Sequence, residues 1–345
     1  MSLYEQMIVQ IAEKELPWKK LKGRTVLISG ATGMIGKCMI DVLMSRNQRY
    51  QDGIRIIALS RNSKRARKRL QSYWDDPLLD YQCCDVNEQI PEAGEVDYII
   101  HAASNTHPVQ YATDPVGTIL ANVMGTKNLL DYAVAHRVRQ FTFLSSVEIY
   151  GENRGDVEKF EESYLGYLDC NTLRAGYPES KRLGEALCNA YHKTYGVDFV
   201  IPRLSRIYGP TVLSSDTKAI SQFIKKAAAK ENIVLKSEGN QKYSYTFVTD
   251  AVCGILYAML CGESGRAYNI ADTKSDITLR NLAEYLARAA GVQVVYEVPD
   301  VSERAGYSTA TKAMLDAGKL EQTGWRACVH IEEGLWCTLQ SLRET

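Results

Sequence analysis

Short apolar runs alternate with longer segments from residue 24 onward, and in the longer segments apolar residues recur every three or four positions. Runs of the first kind predict buried strands, and segments of the second kind predict amphipathic helices. The predicted strands lie at 25–30, 54–60, 78–86, 96–104, 139–146 and 197–204, with a late strand at 266–271. Fully apolar strands that alternate with helices predict a parallel sheet covered on both faces.

The helical periodicity also divides the chain into two parts. Predicted helices lie at 33–47, 114–137, 177–196 and 248–260. After Pro210 the sequence becomes more polar and less regular, and the remainder from Asp272 is mostly helical with one strand at 292–298. This is the pattern of an α/β protein with a Rossmann, doubly wound parallel sheet and a smaller mixed α/β C-terminal substrate domain.

We assign residues 23–204 and 242–272 to the dinucleotide-binding domain, and residues 205–241 and 273–345 to the substrate domain. The remaining residues, 1–22, predict a short amphipathic helix that ends near Pro17. Its apolar stripe is formed by Leu3, Met7, Ile8 and Ile11. We expect this helix to pack on the body of the protein or on a partner subunit.

Composition excludes several function classes. Lys plus Arg equals Asp plus Glu at 41 each, so no global field favours nucleic acid or an anionic membrane. No apolar run reaches the ~18 residues of a membrane span, and the N-terminus lacks the apolar region of a signal peptide. The nine Cys form no C-x-x-C pair and the five His show no ligand spacing, so we expect no metal and a reducing, cytoplasmic location.

Three glycines follow the first predicted strand at the start of the first long helix. Gly30, Gly33 and Gly36 form G-x-x-G-x-x-G, which lets the backbone turn tightly and approach a pyrophosphate. The free N–H groups of the helix N-terminus then attract the phosphate charge. The motif in this context predicts a dinucleotide site; the alternative is a glycine turn without a ligand.

The choice of dinucleotide rests on the residues after the second strand. NAD-specific sheets usually carry an acid there, whereas the sequence here reads Ser60, Arg61, Asn62, which favours NADP over NAD. Asp85, at the end of the third predicted strand, is suited to bind adenine or to cap the strand. The predicted cofactor residues are Gly30, Thr32, Gly33, Met34, Ile35, Gly36, Ser60, Arg61, Asn62, Asp85, Val86, Ala102, Ala103, Ser104, Tyr177 and Lys181.

Tyr177 and Lys181 form Y-x-x-x-K on a predicted helix, and the i,i+4 spacing places them on one face. A neighbouring ammonium and a positive nicotinamide favour the phenolate, which makes Tyr177 a usable base. Ser146 closes the fifth strand, at the edge where such sheets bind ligands, and can hydrogen-bond the substrate oxygen. The alternative is a surface Tyr–Lys pair beside an unrelated Ser.

Several motifs together resemble one family. GATGMIG (30–36), HAAS (101–104), N-x-x-G-T (122–126), SSVEIYG (145–151), YPESK (177–181) and RLSRIYGP (203–210) occur in order. They resemble the extended short-chain dehydrogenase/reductases, the NAD-dependent epimerase/dehydratase family, over about residues 24–335. The resemblance implies a nucleotide-sugar substrate, proton removal from the C4 hydroxyl by the Tyr, and hydride transfer from C4 to the nicotinamide.

Within this family the motifs are nearest to UDP-glucuronate decarboxylases and sugar-nucleotide dehydratases. Glu148 occupies the position where these enzymes carry a Glu, and a carboxylate there can act as an acid or base at C5 or C6. The alternative is an exposed Glu paired with a nearby Lys. The segment EESYLGYLDCNTLRAGYPESKR (161–182) also resembles the decarboxylases. Epimerisation, dehydration and decarboxylation all remain open as the step after C4 oxidation.

Three positions depart from the family pattern. Val147 replaces the usual dehydratase Asp, and Tyr243 replaces a frequent Arg that contacts substrate phosphates. Arg206 replaces the usual Asn before Tyr-Gly-Pro. We therefore expect Arg206 and Lys242 to contact the diphosphate, in a substrate site that also contains Tyr243.

Two other functions fit the same fold: a non-catalytic NAD(P)-binding regulator and a reductase of small ketones. A regulator usually lacks the Tyr or the Lys, and the length of the chain argues for a nucleotide pocket. Relatives often form homodimers through helices corresponding to 114–136 and 177–196, so we expect a homodimer here; packing of these helices within one chain is the alternative.

Overall fold

A parallel sheet forms the centre of the dinucleotide-binding part. The computed structural model describes residues 1–106, 108–297 and 310–343. The strands are β1 (Thr25–Ser29), β2 (Arg55–Ser60), β3 (Leu79–Cys83), β4 (Tyr98–His101), β5 (Gln140–Phe143), β6 (Ser145–Ser146), β7 (Phe199–Leu204) and, later in the chain, β11 (Arg266–Ile270). Their order is β11-β7-β5-β4-β1-β2-β3, with β6 also paired to β7. Every pair is parallel, which confirms the doubly wound sheet.

Helices cover both faces of this sheet. They are α1 (Leu3–Glu13), α2 (Met34–Tyr50), α3 (Ser63–Arg69), α4 (Pro108–Thr113), α5 (Pro115–Ala135), α6 (Gly176–Tyr195) and α8 (Val248–Cys261). Val26 and Ile28 of β1 pack in one core cluster with α2 and α8, whereas Leu27 packs in another with α5 and α6. Because successive side chains of a strand point to opposite faces, a strand buried on both faces must be apolar throughout.

The N-terminal helix packs against the same chain. Ser2 and Glu5 form a capping box at its start, and α1 then contacts α2 and α8. Ile8 and Ile11 are buried in the core cluster that contains α2 and α8, Met7 is buried in the core cluster of the substrate part, and Leu3 stays exposed. No helix in the described part of the chain is long and apolar enough to cross a membrane.

The substrate part contains two small sheets and four helices among the described residues. Strands β8 (Arg206–Tyr208), β10 (Lys242–Phe247), β12 (Asp276–Thr278) and β14 (Lys312–Ala313) form one sheet, and β9 (Ile233–Leu235) pairs with β13 (Val294–Tyr296) in the other. The helices are α7 (Ala219–Ala228), α9 (Leu279–Ala290), α10 (Gly318–Glu321) and α11 (Ile331–Arg343). The apolar faces of α7, α9 and α11 form a separate core cluster, whereas Leu320 of α10 joins the cluster of α2 and α8.

The chain returns to the central sheet later than residue 242. β10 pairs with β8, β12 and β14, so residues 242–247 belong to the second sheet. The return comes with α8, which packs on α2 and β7, and with β11, which pairs with β7. The strand predicted at 292–298 is present as β13, and its last residue lies outside the described residues.

Candidate active site

A cavity of about 690 Å³ lies between the two parts of the chain. Its wall contains residues of the glycine loop, the catalytic residues predicted after β5 and on α6, and residues of the substrate part. The loop that follows β1 opens into it, where the strand order reverses between β1 and β4. Ligands of doubly wound sheets bind at this switch point.

The glycine loop fits a dinucleotide pyrophosphate. Gly30 has φ +68°, and a Cβ there would lie 2.7 Å from backbone atoms of Ala102 and Ala103. A Cβ on Gly36 would lie 2.4 Å from the Gly30 carbonyl oxygen, so the loop requires glycine at both positions. Gly33 precedes α2 without a side-chain cap, which leaves the first N–H groups of the helix to an anion.

The predicted cofactor residues divide into two groups. Those that line the cavity are Gly30, Gly33, Met34, Ile35, Gly36, Ala102, Ser104 and Tyr177. Those outside its lining are Thr32, Ser60, Arg61, Asn62, Asp85, Val86, Ala103 and Lys181. Thr32 and Val86 are buried, and the Ala103 N–H donates to Ser29 Oγ, so these three are packed into the structure around the loop.

Arg61 lies beside the third strand. Its Nη1 is 3.6 Å from Asp85 Oδ2, and its Nη2 donates to Asn105 Oδ1 at 3.4 Å. Asp85 follows β3 instead of ending it, and its Oδ1 accepts the Asn87 N–H. Asn62 caps α3 by accepting the Arg65 N–H. No carboxylate occupies positions 60–62, as the sequence indicated.

Tyr177 and Ser146 meet at the cavity. Tyr177 lies in the first turn of α6 and is 6% exposed, and Ser146 ends β6, which extends β5 along the sheet. The hydroxyls of Ser146 and Ser104 lie close enough to the Tyr177 phenol to lower its pKa, against the larger effect of burial. The ring of Tyr111 stacks on that of Tyr177 with their centroids 5.0 Å apart. The phenol is therefore held by two hydroxyls and one ring.

Lys181 lies one turn further along α6 and is buried. Its Nζ donates to the Leu144 carbonyl at 2.9 Å. Burial lowers the pKa of Lys181 to about 7 and raises the pKa of Tyr177 to about 12. Burial disfavours the charged forms of both side chains, and the expected lowering of the Tyr177 pKa by the Lys181 ammonium together with a positive nicotinamide stays a prediction.

Glu148 is held by two arginines. Arg174 Nη2 donates to Glu148 Oε2 at 2.7 Å, and Arg206 Nη2 lies 3.7 Å from Glu148 Oε1. Glu148 is neither exposed nor paired with a lysine among the described residues, which removes the alternative considered for it. The Glu148 backbone N–H donates to Ser146 Oγ, which ties the backbone of Glu148 to the Ser146 hydroxyl.

The two arginines each lie on an aromatic ring. The guanidinium of Arg174 is 4.6 Å from the Tyr111 ring centroid, and that of Arg206 is 3.8 Å from the Tyr243 ring centroid. Both arginines and both tyrosines line the cavity. Arg174 and Tyr111 have no role assigned from sequence, although Arg174 lies in the segment 161–182 that resembles the decarboxylases.

Lys242 is not part of this wall. It is exposed and lies outside the cavity lining, whereas Tyr243 is buried and donates to the Ala310 carbonyl at 2.8 Å. Adjacent residues of a strand point to opposite faces, so only one of the two can face the cavity. The expected diphosphate contact of Lys242 is therefore not supported.

A buried network of hydrogen bonds connects Ser104 to Asn122 and Ser180. Ser104 donates to Asn122 Oδ1 at 2.7 Å, and Asn122 Nδ2 donates to Ser180 Oγ at 2.9 Å. Asn122 belongs to the N-x-x-G-T motif, which was the sequence signal for it. No group of three or more His, Cys, Asp or Glu able to hold a metal occurs among the residues that the structure describes.

A glycine loop at a switch point, with a Tyr, a Ser and a buried Lys at the same sheet edge, defines an extended short-chain dehydrogenase/reductase. The sequence profile of the NAD dependent epimerase/dehydratase family matches residues 26–271. The chain belongs to this family, which confirms the resemblance of its motifs.

Curated relatives cover nearly the whole chain. UDP-glucuronic acid decarboxylase 5 of Arabidopsis thaliana is 31% identical over 90% of this chain and 86% of its own length. UDP-glucuronic acid decarboxylase 1 of Xenopus tropicalis is 30% identical over 93% of this chain and 72% of its own.

Solved structures show the same fold. A dTDP-glucose 4,6-dehydratase from Streptomyces venezuelae with NAD bound superposes with a TM-score of 0.79, 26% identity, and coverage of 93% of this chain and 97% of that one. UDP-glucose 4-epimerase from Thermotoga maritima has a TM-score of 0.80 at 22% identity, covering 93% and 99% of the two chains, which supports the fold alone.

Proposed function

We propose that the protein oxidises C4 of a UDP-linked hexuronate, releases CO2 from C6 and returns the hydride to C4. Relatives named UDP-glucuronic acid decarboxylases support the substrate. The observation that carries the proposal is the shared cavity wall of Tyr177, Ser146 and Glu148. A phenol, a hydroxyl and a carboxylate are the groups that this sequence of proton transfers requires.

The chain's residues divide the proton transfers between them. Tyr177 accepts the proton of the C4 hydroxyl, and Ser146 donates a hydrogen bond that favours the phenolate. A C4 ketone makes the C6 carboxylate a β-keto acid, so the bond to CO2 breaks and its electron pair remains at C5 as an enolate. Glu148, at the same wall, is placed to act as the acid or base that exchanges a proton with C5. Gly30, Gly33 and Gly36 would hold the dinucleotide, which would supply the hydride acceptor for C4.

The cofactor preference follows from Arg61. An arginine after the second strand, with no acid at positions 60–62, favours a ribose 2′-phosphate over a free 2′-hydroxyl. Asp85 at 3.6 Å offsets part of the Arg61 charge, so we expect a modest preference for NADP over NAD. Running the activity assay with each dinucleotide measures this preference.

Product mass after incubation with UDP-glucuronate tests the reaction. We expect loss of CO2 and no net consumption of the dinucleotide, and no loss of mass with UDP-glucose or dTDP-glucose. Retention of the carboxyl group, or loss of water from a neutral sugar nucleotide, would instead indicate an epimerase or a dehydratase. Net oxidation of NADPH by a simple ketone would favour a small-ketone reductase.

A Tyr177→Phe variant separates an enzyme from a non-catalytic regulator. The change removes the phenol proton acceptor, so turnover should fall by about 100-fold or more. Tyr195→Phe is the matched control, because Tyr195 lies on the same helix and is exposed. Equal activity of both variants would contradict the role of Tyr177.

We further infer that two copies pair through α5 and α6. Val116, Ile119, Leu120 and Met124 form an exposed apolar stripe on α5, and Leu183 is exposed on α6. These two helices pack on each other within one chain, so their outer surfaces form one continuous face. Contiguous exposed apolar surface of this kind usually marks an interface.

A further inference from the structure

Arg174 and Arg206 contact the same carboxylate in different ways. The Arg174 contact with Glu148, at 2.7 Å, is a charge-assisted hydrogen bond of normal length. The Arg206 contact, at 3.7 Å, is an ion pair that is too long for a hydrogen bond. Glu148 is therefore held by Arg174, and only weakly by Arg206.

Arg206 is kept in place without a close anionic partner. Its guanidinium lies 3.8 Å from the centroid of the Tyr243 ring, and its Nε is buried with no hydrogen-bond partner among the described residues. Glu148 is the one carboxylate within 4 Å of either guanidinium in the described part of the chain. Two cations thus share one anion, and the cavity wall retains a positive charge at Arg206.

The chemistry of the missing partner follows from the shape of this cation. A guanidinium presents parallel N–H donors, and a carboxylate matches them with two acceptor oxygens. Glu148 follows Ser146, which bonds the phenol of Tyr177, so Arg206 adjoins the part of the cavity where the oxidised carbon must lie. An acidic group near that carbon could reach Arg206.

We propose that Arg206 binds the acidic substituent of the sugar ring and thereby selects hexuronates over neutral hexoses, while Arg174 keeps Glu148 in place. This inference rests on the proposed function for the position of the sugar, and it departs from the diphosphate contact that the sequence indicated for Arg206. In this arrangement the substrate carboxylate replaces the long contact with Glu148 and leaves the short one intact.

Binding of three ligands tests this role of Arg206: one with the sugar carboxylate, one with a neutral sugar and one without a sugar. UDP-glucuronate, UDP-glucose and UDP are titrated by calorimetry into the NAD(P)-loaded Tyr177→Phe protein, in which turnover is blocked, with and without Arg206→Gln. Loss of one charged hydrogen-bonding group should weaken the affinity for UDP-glucuronate by about 10- to 100-fold, and the affinity for the other two ligands by less than about threefold. Unchanged binding of UDP also shows that the variant is folded.

The alternative contacts give different patterns. Equal weakening of all three ligands would place Arg206 at the diphosphate, and no weakening of any would make it a packing residue of Tyr243; each result overturns the proposal. In an otherwise unchanged chain, Arg206→Gln with Tyr243→Arg moves the cation to the neighbouring position. It should restore part of the discrimination between UDP-glucuronate and UDP-glucose.

Arg174→Gln is the matched control, since it removes the same charge from the same cluster. We expect it to lower turnover, because Glu148 loses its anchor, and to change UDP-glucuronate binding less than Arg206→Gln does. Equal loss of UDP-glucuronate affinity in both variants would show a general charge effect and contradict the specific contact.

Failure of this inference differs from failure of the proposed function. Selective binding of UDP-glucuronate through Arg206 without CO2 release would leave the inference intact and refute the decarboxylation. If the wild type releases CO2 and Arg206→Gln leaves the affinity for UDP-glucuronate unchanged, the decarboxylation stands and the inference about Arg206 is refuted.

Discussion

Lys181 shows how strongly burial governs charge in this site. Its Nζ donates to a backbone carbonyl and lies 4.8 Å from the centroid of the Phe143 ring, and burial lowers its pKa to about 7. The proposed catalysis needs a cation beside Tyr177, whereas in the folded protein alone the lowered pKa leaves Lys181 only partly protonated near neutral pH. A positive nicotinamide and a negative substrate change this balance in opposite directions.

This lowered pKa predicts a pH dependence of stability. In the unfolded chain Lys181 keeps its proton up to pH ~10.4, so between about pH 7 and pH 9 the unfolded state binds more protons. The contribution of Lys181 to the free energy of unfolding should therefore rise with pH in this window, by up to about 1.4 kcal/mol per unit.

The comparison of wild type with Lys181→Met isolates this contribution. Urea unfolding of both proteins across the window should give a difference that increases with pH in favour of the wild type. A difference that stays constant would show that Lys181 remains charged when folded.

Single residues could be predicted where chemistry and local spacing coincide. Tyr177, Lys181 and Ser146 were identified this way, and the structure brings Tyr177 and Ser146 together at the cavity. Arg174 and Tyr111 were missed as site residues because their partners are distant in sequence. Tyr111 meets Tyr177 because α4 packs on α5, and α5 packs on α6.

At the scale of elements, the glycine loop depends on two separate properties of Gly30. Its φ of +68° disfavours other residues, and its missing Cβ lets the backbone of Ala102 and Ala103, directly after β4, lie close to it. Gly23 shares the first property alone, with φ +66° and no atom within 4 Å of a built Cβ. The pair therefore separates backbone strain from close approach.

Gly30→Ala and Gly23→Ala should differ in both stability and cofactor binding. We expect Gly23→Ala to cost about 1–2 kcal/mol of unfolding free energy and to keep NAD(P) binding. Gly30→Ala should cost more and abolish binding, because a methyl group there displaces the loop that meets the pyrophosphate. Chemical denaturation and dinucleotide titration measure the two effects. Equal behaviour of the variants would show that the loop relaxes around the methyl group.

Elements of the central sheet could be predicted because burial on both faces leaves a purely apolar run. The same signal fails in the substrate part, where strands are two to six residues long and pair with distant segments. Residues 242–247 were assigned to the dinucleotide-binding domain, whereas β10 pairs with β8, β12 and β14. Lys242 was expected in the site, but strand pairing sets which face of β10 meets the cavity, and that face carries Tyr243. The sequence alone does not show which residues of these short strands pair with each other.

On the scale of the whole molecule, the described cavity wall is formed within one chain. The chemistry proposed here therefore requires no residue from a second copy. Pairing through α5 and α6 would add stability to the helix that carries Tyr177 and Lys181 without supplying a catalytic group. Assembly and catalysis should accordingly be separable by mutation.

Charge on the apolar stripe of α5 tests this separation. A closed pair of identical chains meets through the same surface on each copy, so one substitution appears twice in the interface. Leu120→Glu with Met124→Glu would place four carboxylates on surfaces that are 45% and 39% exposed in the single chain. Sedimentation velocity should then show the mass of one chain, with activity per chain largely retained.

Trp336→Glu, on exposed surface of α11, is the control and should leave the pair intact. A wild-type protein that already sediments as one chain would refute the pairing, and loss of activity on dissociation would show that the second copy completes the site.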